Sequence, residues 1–100
     1  MSRVFIIQEQ NDKNLLPAEK FGKLCVMLTQ RDVDRGIQHC IDKMAEFLVL
    51  MREEDHLLLI GESLVMAAGF HIAAHYGEGR VSVLRWDRVN YCYNQETVKI

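Results

Sequence analysis

Three consecutive residues, Gly61, Glu62 and Ser63, form the first candidate for a ligand-binding site. They lie between an apolar run and a predicted helix, and open α/β sheets bind ligands beyond the carboxyl ends of their strands, near helix N-termini. The same residues suit an ordinary strand-to-helix turn with Ser63 as the N-cap. The segment has no GxGxxG or GxxxxGK pattern, and the Glu62 carboxylate would repel a phosphate. Two interpretations stay open: a structural turn, or a nucleotide or phosphate-ester site that could extend to a minimal hydrolase.

Two histidines on one predicted helix, His71 and His75, are the next candidates. Their i, i+4 spacing places them on the same helix face. A zinc site needs at least one further protein ligand, which Glu78, His39 or His56 would have to supply. The residue after the first histidine is not the glutamate that a zinc-protease motif requires. We therefore predict no metal site and no cofactor, and we interpret the pair as histidines at a packing or subunit surface.

Basic and aromatic residues alternate in the C-terminal part of the chain. Such a pattern can stack on and neutralise single-stranded nucleic acid. Acidic residues lie in the same segment, however, and the chain has no basic excess. We therefore expect no nucleic acid partner and predict an edge hairpin with Trp86 packed on the core. The residues of this pattern are Arg80, Arg85, Trp86, Arg88, Tyr91 and Tyr93.

No arrangement of residues indicates a catalytic nucleophile, so no catalytic residue is predicted. Ser63 lacks a surrounding GxSxG motif, and Cys25 and Cys40 lack the signature of an activated thiol. With Cys92, the cysteines are too few and too far apart for a disulfide framework or a Cys-based zinc site. They are interpreted as small apolar residues in a reduced, intracellular core.

The composition of the 100-residue chain indicates one domain spanning residues 1–100. Of its residues 49% are apolar and 26% are charged, and 12 Lys and Arg against 14 Asp and Glu give a net charge of −2. Proteins that wrap DNA or bind membranes through polybasic segments need clustered positive charge, so both classes are disfavoured. The apolar run at residues 4–7 is too short for a signal peptide or a membrane span. We expect a cytoplasmic protein.

Apolar periodicity predicts seven elements in the order β-β-α-β-α-β-β. Asp32 is predicted to cap the first helix, which begins near Asp32 or Val33. Strands linked by helical crossovers run parallel, so the pattern predicts an α/β fold with a mixed, mostly parallel sheet and a C-terminal antiparallel hairpin. The predicted strands cover residues 3–8, 24–29, 57–60, 80–86 and 91–100, and the second helix covers residues 64 to about 76.

The second predicted helix is apolar all round and carries no acidic residue, lysine or arginine between Leu64 and Tyr76. A helix of this kind needs cover on more than one face. A symmetric second copy could supply that cover, so we predict a homodimer, with a host protein as another possible partner. The residues predicted to form the interface are Leu64, Ala68, His71, Ile72 and His75.

Several short segments give the chain a family resemblance. They are NLLPA at 14–18, DHLLLIG at 55–61, GRV at 79–81 and LRWDR at 84–88, with Tyr93 and Val98. This pattern resembles small uncharacterised bacteriophage proteins with an α/β fold. The shared segments are turns and strands without catalytic residues, so the resemblance implies a viral protein acting in the host cytoplasm and no particular activity. The sequence as a whole favours a small non-enzymatic interaction module.

Overall fold

A five-stranded mixed sheet forms the centre of the molecule in the computed structural model, which describes residues 1–100. Its strand order is β2-β1-β3-β4-β5, and all neighbours are parallel except the antiparallel pair β4 and β5. The predicted α/β fold with a C-terminal hairpin is confirmed. The strands are β1 (Arg3–Gln8), β2 (Lys23–Leu28), β3 (His56–Leu58), β4 (Arg80–Asp87) and β5 (Cys92–Lys99).

Helices cover the two sides of the sheet unequally. A 3₁₀ helix (Leu16–Phe21) links β1 to β2, α1 (Gln30–Asp34) and α2 (Ile37–Leu48) link β2 to β3, and α3 (Ser63–Tyr76) links β3 to β4. The chain moves outward from β1 to β2 and then returns past β1 to β3 and β4. Because such crossovers are right-handed, this reversal places α2 and α3 together on one face and the 3₁₀ helix on the other.

The apolar core is divided by the sheet into two clusters, which follow the alternation of side chains along each strand. The larger cluster lies under α2 and α3 and includes Phe5, Ile7 and Leu57, with Met44 of α2 among the helical residues that cover them. The smaller cluster lies under the 3₁₀ helix and consists of Val4, Ile6, Ala18, Leu58, Leu84 and Tyr93. The helical face therefore contains most of the core.

The first predicted helix is divided into α1 and α2, contrary to the single helix expected near Asp32 or Val33. Gly36 separates the two helices with a φ of 103°, a backbone conformation that favours glycine. The N-cap is Thr29, whose hydroxyl accepts from the Asp32 N–H at 3.3 Å. The Asp32 carboxylate in turn accepts from the Thr29 N–H at 2.8 Å. The prediction that Asp32 is the N-cap is wrong, because Asp32 is the third helical residue of a capping box.

The central strand ends two residues earlier than the strand predicted for residues 57–60. β3 ends at Leu58, because the Ile60 N–H donates back to the Leu58 carbonyl and turns the chain. The Ile60 carbonyl still accepts from the Gln8 N–H at 3.2 Å, which keeps the turn attached to β1. The other four strands agree with the predicted ones to within one residue at each end.

Candidate functional site

The predicted interface residues form an exposed stripe along the outer side of α3, which we call the α3 stripe. Leu64 is 56% exposed, and His71 and His75 are also exposed. Ala68 and Ile72 lie half-buried along one edge of the stripe. The structure thus brings together all five residues that the sequence analysis selected.

The opposite side of α3 is packed very closely. Val65, Gly69 and Ala73 are buried there against the sheet and α2. A Cβ added at Gly69 would lie 3.0 Å from the Ile7 Cδ1 atom and 3.1 Å from the Met44 Sδ atom. One chain therefore covers only this side of α3, and the α3 stripe is left to solvent.

The two histidines of the α3 stripe lie one turn apart. The His75 ring packs edge-on against the Tyr76 ring, with centroids 5.2 Å apart. No group of three or more His, Cys, Asp or Glu side chains is placed to hold a metal ion. The pair is therefore described as two imidazoles on an exposed helix face.

The strand-to-helix junction differs in one respect from its prediction. Glu62 is the N-cap, and its carboxylate accepts from the Val65 N–H at 3.1 Å. Ser63, predicted to be the cap, is instead the first residue of α3. A glutamate can reach the N–H three residues on when its backbone is extended, as it is here, and so replaces the shorter cap.

Gln8 at the end of β1 closes the junction from the neighbouring strand. Its side-chain oxygen accepts from the Glu62 N–H at 2.9 Å, and its side-chain nitrogen donates to Gln30 at 3.1 Å. Gly61 has a φ of 138°, and a Cβ there would lie 2.8 Å from the Gln8 Cβ. Two N–H groups at this end of α3, those of Glu62 and Val65, thus already have protein partners. Ligand binding at Gly61, Glu62 and Ser63 stays a prediction.

Aromatic side chains form a cluster on the C-terminal hairpin, on the face opposite α3. Tyr93 is buried in the smaller core cluster, and the Trp86 ring packs edge-on against it at 5.0 Å. Tyr91 approaches Trp86 from the turn at 6.5 Å. Trp86 itself is 41% exposed. The prediction that Trp86 packs on the core is only partly met, because Trp86 covers the core from outside.

The arginines of the hairpin have different environments. Arg85 pairs with Glu96 at 3.0 Å, on the side of the hairpin away from Trp86. Arg80 lies 3.5 Å from Glu53 at the other end of β4. Arg88, in the turn after β4, makes no ion pair. Only Arg88 is therefore both near the aromatic cluster and free of a carboxylate.

A cavity of about 550 Å³ opens beside this cluster, at the carboxyl end of β3. It lies between the hairpin and the loop that follows β1, and none of its lining residues is acidic. We call it the hairpin cavity. Its lining residues are Lys13, Asn14, Pro17, Leu58, Leu59, Ile60, Trp86, Arg88 and Tyr93.

A partly buried hydrogen-bond chain on the same face was not predicted from the sequence. His56 Nδ1 lies 2.7 Å from the Ser82 hydroxyl. The same hydroxyl accepts a hydrogen bond from the Gln95 side chain at 2.9 Å. Burial lowers the pKa of His56, and the nearby Asp55 carboxylate opposes this only in part. A neutral imidazole that accepts from Ser82 fits these contacts. The spacing of His56, Ser82 and Gln95 in the sequence does not predict these hydrogen bonds, because the three residues lie on three different strands and the sequence does not give the register between them.

No helix of the structure is long and apolar enough to cross a membrane. Neither a curated protein nor a solved structure matches the chain. A family model described as Phage Pam3 gp32-like protein matches residues 2–100, which confirms the resemblance to bacteriophage proteins. The chain therefore belongs to the family of Phage Pam3 gp32-like proteins and is a bacteriophage protein.

Proposed function

We propose that this phage protein is a small non-catalytic interaction module that works in the host cytoplasm as a homodimer joined through α3. The observation that carries the proposal is the α3 stripe, an exposed row of uncharged and imidazole side chains that extends from Leu64 to His75. Exposed apolar surface bordered by polar side chains, such as that of Leu64 and its neighbours on α3, is typical of protein interfaces.

The α3 stripe is suited to pairing with a second copy of itself. In a two-fold interface the same residues meet from both sides. An antiparallel pair of α3 helices, with the axis near the middle of the helix, sets Leu64 of one copy opposite His75 of the other. Ala68 then lies beside the axis, and its small side chain allows the two helices to approach closely.

Burial of the α3 stripe supplies the driving force. Leu64 of the α3 stripe is 56% exposed in one chain. Covering such a half-exposed side chain contributes on the order of 1 kcal/mol. Because each residue occurs once in each copy, every such contribution counts twice in the dimer. The charged faces of the molecule offer no comparable gain, since exposed ion pairs contribute little.

Sedimentation equilibrium over a range of protein concentrations tests the proposal. We expect a mass of twice the 11.6 kDa of one chain. Leu64→Lys places an ammonium group opposite His75 of the second copy, where it gains no favourable partner, and is expected to give a monomer with an unchanged circular dichroism spectrum. Leu16→Lys is the matched control, because Leu16 is 62% exposed on the opposite face of the sheet, and this variant should remain a dimer.

Two results would overturn the homodimer. One is a native chain that keeps the monomer mass at its highest soluble concentration. The other is a folded Leu64→Lys variant that dimerises as tightly as the native chain, since the contact would then lie elsewhere. If the chain is a monomer and binds a host protein through the same residues, the α3 stripe is an interface for that host protein and not for a second copy.

A further inference from the structure

The hairpin cavity lies at the part of the fold where α/β proteins bind small molecules. β3 and β4 are parallel neighbours, and Ile60 and Trp86, beyond and near their carboxyl ends, line the cavity. Ligands of open α/β sheets bind beyond the carboxyl ends of the strands. The cavity volume of about 550 Å³ is within the usual size of a small-molecule site.

The lining of the cavity includes the aromatic ring of Trp86. This ring makes T-shaped contacts with Tyr93, which is buried, and with Tyr91. Trp86 nevertheless keeps 41% of its surface exposed. Leu58 and Ile60 complete the apolar part of the cavity. A planar ring can stack here on an indole that is already positioned, which reduces the entropy lost on binding.

The lining of the cavity also carries positive charge. Lys13 and Arg88 both line it, neither makes an ion pair, and no lining residue is acidic. The Asn14 side-chain oxygen accepts from the Leu16 N–H, so its side-chain N–H groups remain available as donors. Lysine and arginine are the side chains that bind phosphate most often.

We propose that the hairpin cavity binds a nucleoside phosphate, with the base stacked on Trp86 and the phosphate between Lys13 and Arg88. A flat ring and an anion within one small ligand match the aromatic and the cationic residues of the cavity lining. This site lies on the other face of the sheet from the α3 stripe, so it does not depend on the proposed dimer. It is also distinct from the junction at Gly61, Glu62 and Ser63, where Gln8 and Glu62 occupy two of the N–H groups.

Fluorescence measures this binding directly, because Trp86 is the only tryptophan of the chain. Adenosine 5′-monophosphate, titrated into the protein with excitation at the red edge of the indole band, is expected to quench Trp86 to saturation. Adenosine and inorganic phosphate each carry one half of the ligand and are expected to bind at least about tenfold more weakly. No saturable quenching by millimolar adenosine 5′-monophosphate would overturn the proposal.

Variants separate binding in the cavity from random collision with the exposed indole. We expect the affinity for adenosine 5′-monophosphate to fall about tenfold in Lys13→Gln and in Arg88→Gln, because each variant removes a charge-assisted contact to the phosphate. Arg31→Gln is the matched control, because Arg31 is exposed, makes no ion pair and does not line the cavity. Equal affinities in the native chain and in both cavity variants would contradict the proposal.

The source of the nucleoside phosphate is identified with a short 5′-phosphorylated oligodeoxyadenylate. Tighter binding of the oligonucleotide than of adenosine 5′-monophosphate, lost in Lys13→Gln, supports the end of a nucleic acid strand as the source. Equal or weaker binding supports a free nucleotide. Trp86→Leu, followed by calorimetry, must reduce the affinity for either probe by at least about tenfold, and unchanged affinity would exclude base stacking.

Discussion

At the scale of single residues, the contact between Gly61 and Gln8 determines where α3 begins. Gly61 provides a backbone conformation that other residues rarely adopt, and Gln8 fills the space where its side chain would lie. The same Gln8 side chain accepts from the Glu62 N–H and donates to Gln30. One amide thus connects the ends of β1 and β3 with the beginnings of two helices.

Gly61→Val is expected to lower the free energy of unfolding by more than about 1 kcal/mol. The valine must adopt a φ of 138°, and its Cβ would lie 2.8 Å from both the Gln8 Cβ and the Gln8 side-chain oxygen. Urea denaturation measures the change. Gly36→Val is the control, because Gly36 also has a positive φ of 103° but no atom within 4 Å of an added Cβ. Equal losses at the two positions would show that the Gln8 contact contributes nothing.

The sequence was sufficient to locate this junction but not to identify its contacts. The sequence predicts the junction at Gly61 because this residue ends an apolar run before a helix. That pattern depends only on neighbours along the chain. The Gln8 contact depends on β1 and β3 being adjacent in the sheet, with a separation of about fifty residues in sequence. Glu62 was not recognised as the cap because short polar side chains are preferred at that position.

At the scale of elements, Asp32 connects the two short helices that follow β2. Its carboxylate accepts from the Lys43 ammonium at 2.7 Å and from the His39 Nε2 atom at 2.8 Å, both on α2. It also caps the Thr29 N–H within α1. Lys43 first, then Thr29 and His39, hold the pKa of Asp32 well below its ordinary value of 3.8. The charged form of Asp32 therefore stabilises the packing of α1 on α2.

Asp32→Asn is expected to lower the free energy of unfolding by about 2 kcal/mol at neutral pH, because it removes charge-assisted hydrogen bonds. A carboxyl with a lowered pKa contributes stability that is complete above its ordinary value and is lost as the pH falls below it. The native chain should therefore lose more stability than the variant between about pH 5 and pH 2. Urea denaturation at several pH values measures both effects.

Asp42→Asn is the control for Asp32→Asn, since it removes the same charge from an exposed position on α2. Its only side-chain contact is the hydrogen bond from Gln38 at 2.9 Å. We expect it to change the stability by less than about 0.5 kcal/mol and to leave the acid dependence of the native chain unchanged. An equal effect of the two variants would contradict the role assigned to Asp32.

At the scale of the whole molecule, the order of elements was predictable and their arrangement across the sheet was not. Apolar runs and helical periodicity gave five strands and the helices between them. The hairpin cavity, however, combines Lys13 from a loop, Ile60 from a turn and Trp86 from the hairpin. Only the sheet order and the side of each crossover bring these segments together. The α3 stripe could be predicted because all its residues lie on one helix.

The fold places the two proposed binding surfaces on opposite faces of one sheet. The α3 stripe lies on the outer side of the helical layer, away from the sheet, and the hairpin cavity opens beside Trp86 and Pro17 on the face of the 3₁₀ helix. A dimer joined through α3 therefore leaves both cavities accessible. The proposed dimer is therefore compatible with the proposed ligand site in each copy.

The dimer is expected to weaken as the pH falls from about 7.5 to 5.5, the range in which histidines become charged. His71 and His75 bring two imidazoles per copy into the proposed interface, where Leu64 and Ala68 would face them. Two carboxylates flank the helix: Glu62 is turned towards the Val65 N–H, and Glu78 is exposed beyond the end of α3. Protonation then places like charges close together where water is partly excluded, so the Kd should rise by at least about tenfold.

Sedimentation at the two pH values measures this change in the native chain and in the double variant His71→Gln and His75→Gln. The variant keeps polar side chains of similar size but cannot become charged, so its Kd should change little with pH. A chelator at neutral pH should have no effect, because no third ligand accompanies the two histidines. If the native dimer has the same Kd at both pH values, the imidazoles do not meet in the interface. If the double variant keeps the native pH dependence, another titratable group is responsible.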